Sequence, residues 1–127
     1  MITRERMASM MEEGIVSTTG LIAHGRGEAF DYLLGETTVP EAGQAERAAA
    51  ALLLQAKHPV ITINGNAAAL AAKELGELAR ATGALVEINL FHRSEDRLRK
   101  VCEFVEKETG MKVLGRDQDA VLDGIAS

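Results

Sequence analysis

Pro59-Val60-Ile61-Thr62-Ile63-Asn64-Gly65-Asn66 and, further on, Gly83-Ala84-Leu85-Val86-Glu87-Ile88-Asn89-Leu90 decide how this chain folds. Within them Val60–Asn64, a β-branched run bounded by Pro59 and Gly65, and Leu85–Leu90, which follows Gly83, each predict a strand. Between them, residues 67–82 carry alanine and leucine at helical spacing and stop at Gly83. After the second run, Ser94 offers its hydroxyl as N-cap to a helix through about Thr109, with Gly110 as C-cap. Met111–Leu114 reads as a third, brief strand. Strand, helix, strand, helix and strand at this spacing predict parallel strands joined by right-handed crossovers. The fold class is therefore α/β, a Rossmann-like parallel sheet flanked by helices.

Upstream of Pro59 the pattern is helical. Residues 2–14 read as a helix with Ile2, Met7, Met10 and Met11 as apolar positions and Gly14 as the stop. Gly20-Leu21-Ile22-Ala23-His24-Gly25-Arg26-Gly27 reads as a glycine loop, followed by a short helix from Glu28 to Leu34 that ends at Gly35. Pro40 suits the first turn of a further helix, Glu41 to Lys57. That helix sets Ala45, Ala48, Ala49, Leu52 and Leu53 on one side. The chain divides into an N-terminal helical part, 1–57, and a strand–helix part, 58–127, within a single α/β domain or fragment.

Composition bounds the function. The 127 residues are 46% hydrophobic but only 3% aromatic, with no tryptophan, so small aliphatic side chains must build the core. The net charge of −5 argues against nucleic acid as partner, because phosphate backbones call for clustered lysine and arginine. No apolar run approaches the ~18–20 residues that span a bilayer, and the charged start at Arg4, Glu5 and Arg6 does not resemble a leader. A cytoplasmic protein is expected. The lone Cys102 allows no intrachain disulfide and reads as a small buried hydrophobe. His24, His58 and His92 lack metal-ligand spacing, so no metal site is predicted.

Three places carry chemistry. Glycines at 20, 25 and 27 would let backbone approach a ligand closely, and Arg26 among them carries a fork of donors suited to phosphate or carboxylate. A turn with one solvated arginine is the plainer reading. In open parallel sheets ligands bind beyond the carboxyl ends of strands. Those ends are Asn64-Gly65-Asn66 and Asn89-Leu90-Phe91-His92-Arg93-Ser94. The first is either a ligand-facing turn or an Asx turn with a helix cap. Arg93 is either a ligand group beside Asn89 or an arginine paired with Glu95 or Asp96. No Walker loop and no Gly-x-Gly-x-x-Gly after a strand is present. An enzyme, such as a nucleotide-dependent transferase on this fold, and a non-catalytic Rossmann-like module that binds an anion or nucleotide or simply assembles both remain open.

Arg4-Glu5, the run GLIAHGRGEAFDY from Gly20 to Tyr32, His58-Pro59-Val60 leading into Asn64-Gly65-Asn66-Ala67-Ala68-Ala69-Leu70, and Glu87 to Arg93 occur in an order and spacing that resemble archaeal phosphopantothenate synthetase, the 4-phosphopantoate–β-alanine ligase family. The resemblance runs along nearly the whole chain, although members of that family are longer. It implies ATP-dependent, AMP-forming ligation of 4-phosphopantoate to β-alanine through an acyl adenylate, on the route to coenzyme A. ATP as its Mg²⁺ complex would be the nucleotide substrate. By position, Arg4 and Arg26 match arginines that the family uses for ATP. His24, Gly25, Asn64, Gly65, Asn66, Asn89 and Arg93 are inferred to line the acid-substrate or phosphate side of the cleft. The resemblance also implies a homodimer, with the helix of Met7, Met10 and Met11 as its expected contact surface. Relative to the family the sheet is expected to be incomplete, and turnover by this chain alone is not expected.

Overall fold

The structure, a computed structural model, describes residues 2–91 and 93–116. Its elements run α1 (Ile2–Glu12), α2 (Thr18–Leu34), α3 (Pro40–Gln55), β1 (Val60–Ile63), α4 (Gly65–Thr82), β2 (Leu85–Ile88) and α5 (Glu95–Thr109). The two strands pair in parallel, with Val60 beside Leu85 and Ile63 beside Ile88. Because strand side chains alternate, Ile61, Ile63, Val86 and Ile88 share one face. Ile63, Val86 and Ile88 on that face are buried, whereas Thr62 and Leu85 on the other are exposed. The class read from the sequence holds: this is an α/β arrangement with an incomplete parallel sheet.

Helices α4 and α5 pack against each other and against the strands. Their approach depends on small residues. Ala68, Ala69, Ala72, Gly76 and Ala79 are the buried face of α4, and a Cβ on Gly76 would come within 2.8 Å of the Thr109 side chain. Leu98, Val101, Cys102 and Val105 face them from α5, so Cys102 is the buried small hydrophobe expected. The expected caps are present. Ser94 accepts from the Arg97 N–H, and Gly83 and Gly110 close α4 and α5 in the left-handed region.

Five expectations change. First, the glycine stretch 20–27 is not a loop: Ser17 caps a continuous α2 that starts at Thr18 and takes in both the stretch and the short helix expected from Glu28. Gly35 ends it as read, at φ 95°. Second, the helix expected over residues 2–14 ends at Glu12, and the one expected to reach Lys57 ends at Gln55. Third, the strand expected at Met111–Leu114 is reduced to a single parallel bridge between Glu87 and Leu114, held by Ile88 N–H to Leu114 O and Leu114 N–H to Val86 O. Two ladder bonds do not make a strand, but they put Leu114 on the β2 edge where a third strand belongs. Fourth, the apolar face of α1 is core rather than contact surface. Met7 is fully buried, and Met10 and Met11 pack against the core. Fifth, the alanine–leucine side of α3 covers nothing, since no residue of that helix is buried.

Candidate functional site

Parallel pairing sends the carboxyl ends of β1 and β2 to the same edge of the sheet, and α4 begins there. Asn64 caps it, its Oδ1 accepting from the Ala67 N–H at 2.9 Å. The plainer reading of that asparagine therefore applies to its side chain. Asn66, the second residue of the helix, donates from Nδ2 to the Gly20 carbonyl at 3.0 Å. That bond joins the start of α4 to the start of α2, where the Ser17 hydroxyl accepts from the Gly20 N–H at 3.0 Å. A Cβ on Gly20 would lie 2.6 Å from Asn66 Oδ1, so any side chain there would displace that of Asn66.

Arg97 completes the junction from α5. Its Nη2 donates to the Ile15 carbonyl at 3.0 Å, in the segment between α1 and α2. The guanidinium lies against Gly65, where a Cβ would overlap Arg97 Nη2 and stand 2.7 Å from Ile15 O. Burial lowers the Arg97 pKa below the ordinary arginine range, which still leaves it cationic. Around these groups lies a cavity of about 440 Å³. Ser17, Thr19, Gly20 and Ala23 form one wall, Asn64, Gly65 and Asn66 another, and Arg97 and Phe91 complete it. Two helix N-termini and a guanidinium give the cavity a positive end, since terminal N–H groups and the helix dipole favour anions. Phe91, 93% exposed, gives it an apolar one.

Of the residues expected at a site, Asn64, Gly65 and Asn66 line this cavity. Arg4, His24 and Gly25 meet at a second spot: Arg4 Nη1 donates to the Leu21 carbonyl at 2.5 Å and lies 3.2 Å from His24 Nδ1, over Gly25. Arg26 is exposed on α2 and does not line the cavity. Asn89 is exposed, its backbone N–H held by Ile63 O at 2.9 Å. Arg93 donates instead to the Gly115 carbonyl at 3.2 Å. His92 lies outside the described residues. Ser17, Phe91 and Arg97 were not anticipated. Ser17-Thr18-Thr19 is a readable N-cap signal, but the glycines after it mask the helix. Arg97 hides in the run Glu95 to Lys100, which reads as a solvated face. Among the described residues no three histidine, cysteine or carboxylate side chains converge to hold a metal ion.

Comparison with known proteins adds a family. The model described as phosphopantothenate/pantothenate synthetase matches residues 41–127. A 4-phosphopantoate–β-alanine ligase of Methanospirillum hungatei is 56% identical over 114 residues, covering 90% of this chain and 46% of that protein. The ligase of the same name from Thermococcus kodakarensis is 50% identical over 123 residues, covering 96% of this chain and 47% of its own length. That of Methanosarcina mazei is 48% identical over 123 residues, with shares of 97% and 49%. The chain spans about half the length of the curated relatives it matches.

Proposed function

Because this chain belongs to the phosphopantothenate/pantothenate synthetase family, we propose that it takes part in joining 4-phosphopantoate to β-alanine with ATP, in coenzyme A biosynthesis in the cytoplasm. The carboxylate of 4-phosphopantoate attacks the α-phosphorus of ATP, pyrophosphate leaves, and an acyl adenylate forms. The β-alanine amine then attacks the acyl carbon, AMP leaves with the bond electrons, and the amine proton passes to solvent. Both steps bring anions together, so the protein has to supply cations and oriented N–H groups. The observation that carries this reading is the cavity in which the start of α4, the start of α2 and Arg97 converge. An anionic head fits at Arg97 and the α4 N-terminus, and a compact aliphatic body fits against Ala23 and Phe91.

Arg4 and Arg26 are assigned to ATP and Arg97 to the acid substrate. No protein cage for a cation is needed, because Mg²⁺ would enter on the triphosphate and neutralise its charge. The test is calorimetric titration of the chain with ATP and with 4-phosphopantoate, followed by a pyrophosphate-release assay with all three substrates. Replacing Arg97 by methionine should weaken 4-phosphopantoate binding by about 1.5–3 kcal/mol, as for a lost hydrogen bond to a charged group. An unchanged affinity overturns the assignment. Binding without pyrophosphate release favours the non-catalytic anion-binding module.

We also place the homodimer contact on α2 and α3. Phe30, Tyr32 and Leu33 of α2 and Leu52 and Leu54 of α3 are 62–81% exposed. Large apolar side chains left exposed on both helices suit a partner surface. Leu33→Glu with Leu52→Glu should convert a sedimenting dimer to monomer; a dimer that survives both refutes the placement.

A further inference from the structure

The Arg4 guanidinium is held by two groups of α2 and lies over a third residue of the same helix. The Leu21 carbonyl accepts from Nη1 at 2.5 Å. His24 presents Nδ1 to the same nitrogen at 3.2 Å. Gly25 supplies a bare Cα: a Cβ there would stand 3.1 Å from Nη2, 3.2 Å from Nη1 and 3.3 Å from Cζ. Leu21, His24 and Gly25 lie three and four positions apart on α2, so one helix face forms the whole cradle, and Arg4 reaches it from α1.

A guanidinium has only donors, so a hydrogen bond at this contact needs Nδ1 as the acceptor, which is the tautomer with its proton on Nε2. A protonated ring, or the other tautomer, would point an N–H at an arginine. An arginine side chain carries large rotamer entropy when free. A cradle that removes this freedom beforehand spares the ligand that cost. Both fixed contacts engage Nη1, and among the described residues no hydrogen bond engages Nη2.

We propose that His24, as the Nε2–H tautomer, is a positioning residue that pre-orients Arg4 for the nucleotide phosphates, with Gly25 keeping the space that the guanidinium occupies. This rests on the assignment of Arg4 to ATP given above. His24 acts only through Arg4, so its replacement should matter according to whether an acceptor remains where Nδ1 was. Asparagine places its Oδ1 close to that position, whereas alanine places nothing there.

The experiment is ATP titration of the whole chain as wild type, His24→Ala, His24→Asn and Gly25→Ala, with thermal melts of each and with nitrogen-15 spectra of the His24 ring in mildly alkaline buffer. His24→Ala should weaken ATP binding roughly three- to tenfold, because His24 acts on the nucleotide only through Arg4 and its loss costs part of one hydrogen bond. His24→Asn should stay within about twofold of wild type by the same measure. Gly25→Ala should weaken binding without lowering the melting temperature, because alanine is the better helix former. The ring spectra should show Nδ1 bare and Nε2 protonated. Equal affinities for wild type and His24→Ala, equal losses for His24→Ala and His24→Asn, or a proton on Nδ1 each overturn the proposal. A wild-type chain that does not bind ATP fails differently: it removes the nucleotide assignment, and the role of His24 goes with it.

Discussion

Gly65→Ala is the substitution most sensitive to the way the site is built. Gly65 has no positive φ, so backbone strain is not at stake and the whole effect is steric. The new methyl would overlap Arg97 Nη2 and lie 2.7 Å from Ile15 O, a backbone atom that cannot swing away. Arg97 must leave, and its bond to Ile15 O at 3.0 Å goes with it. A lost hydrogen bond from a charged donor costs about 1.5–3 kcal/mol. Residual overpacking adds about 1–3 kcal/mol. The gain in helix propensity returns less than about 1 kcal/mol. The net destabilisation is about 1.5–6 kcal/mol. With an unfolding entropy near 2 cal/mol/K per residue, this lowers Tm by roughly 6–22 °C for a chain of this size. Gly27→Ala is the control, since a Cβ there meets nothing within 4 Å; it should be neutral or stabilising by up to about 1 kcal/mol. Calorimetric melts of both variants decide the matter. Equal melting temperatures for Gly65→Ala and wild type would refute the packing of Arg97 over the start of α4.

Met7→Ala should cost about 2–5 kcal/mol in urea unfolding, the range for emptying a core methionine site, because Met7 is fully buried; a cost typical of the surface would return α1 to the role of an external contact. Burial pushes the Cys102 thiol above its usual range, an effect that Arg116 partly opposes. Its contribution to stability is thus present below the ordinary thiol pKa and is lost as pH rises through the raised one. Alkylation of the native chain should be far slower than of the urea-unfolded chain, and equal rates would place the thiol at the surface.

The elements read most easily were those whose signals are local. Pro59 and Gly65 bracket β1, Ser94 and Gly110 bracket α5, and each of these residues does in the fold what its chemistry dictates. The misread elements depend on neighbours remote in sequence. Gly20 and Gly25 look like loop residues because glycine disfavours helix. They are tolerated inside α2 because Asn66 and Arg4 occupy the volume where their side chains would be. Likewise Arg97 resembles the solvated Arg99 beside it, which pairs with Asp96; only the fold brings Ile15 within its reach. The asparagines were legible as a pair at a strand end, but the division of labour between them was not. Asn64 closes its own helix while Asn66 ties two helices together.

Helix α3, like α2, has no buried residue, but unlike α2, which packs on α1 and α4, it is not packed closely on another element of the described residues. A single helix of this length in water forms and melts on its own. Its backbone amides should therefore exchange with solvent deuterium through local opening, while those of β1 and α4 wait for global unfolding. If a second copy covers α2 and α3, protection along α3 rises with protein concentration while that of the core stays fixed. Arg47, in the middle of α3, makes the same contrast visible to trypsin: a cut in the dilute native chain, and resistance in the assembled one.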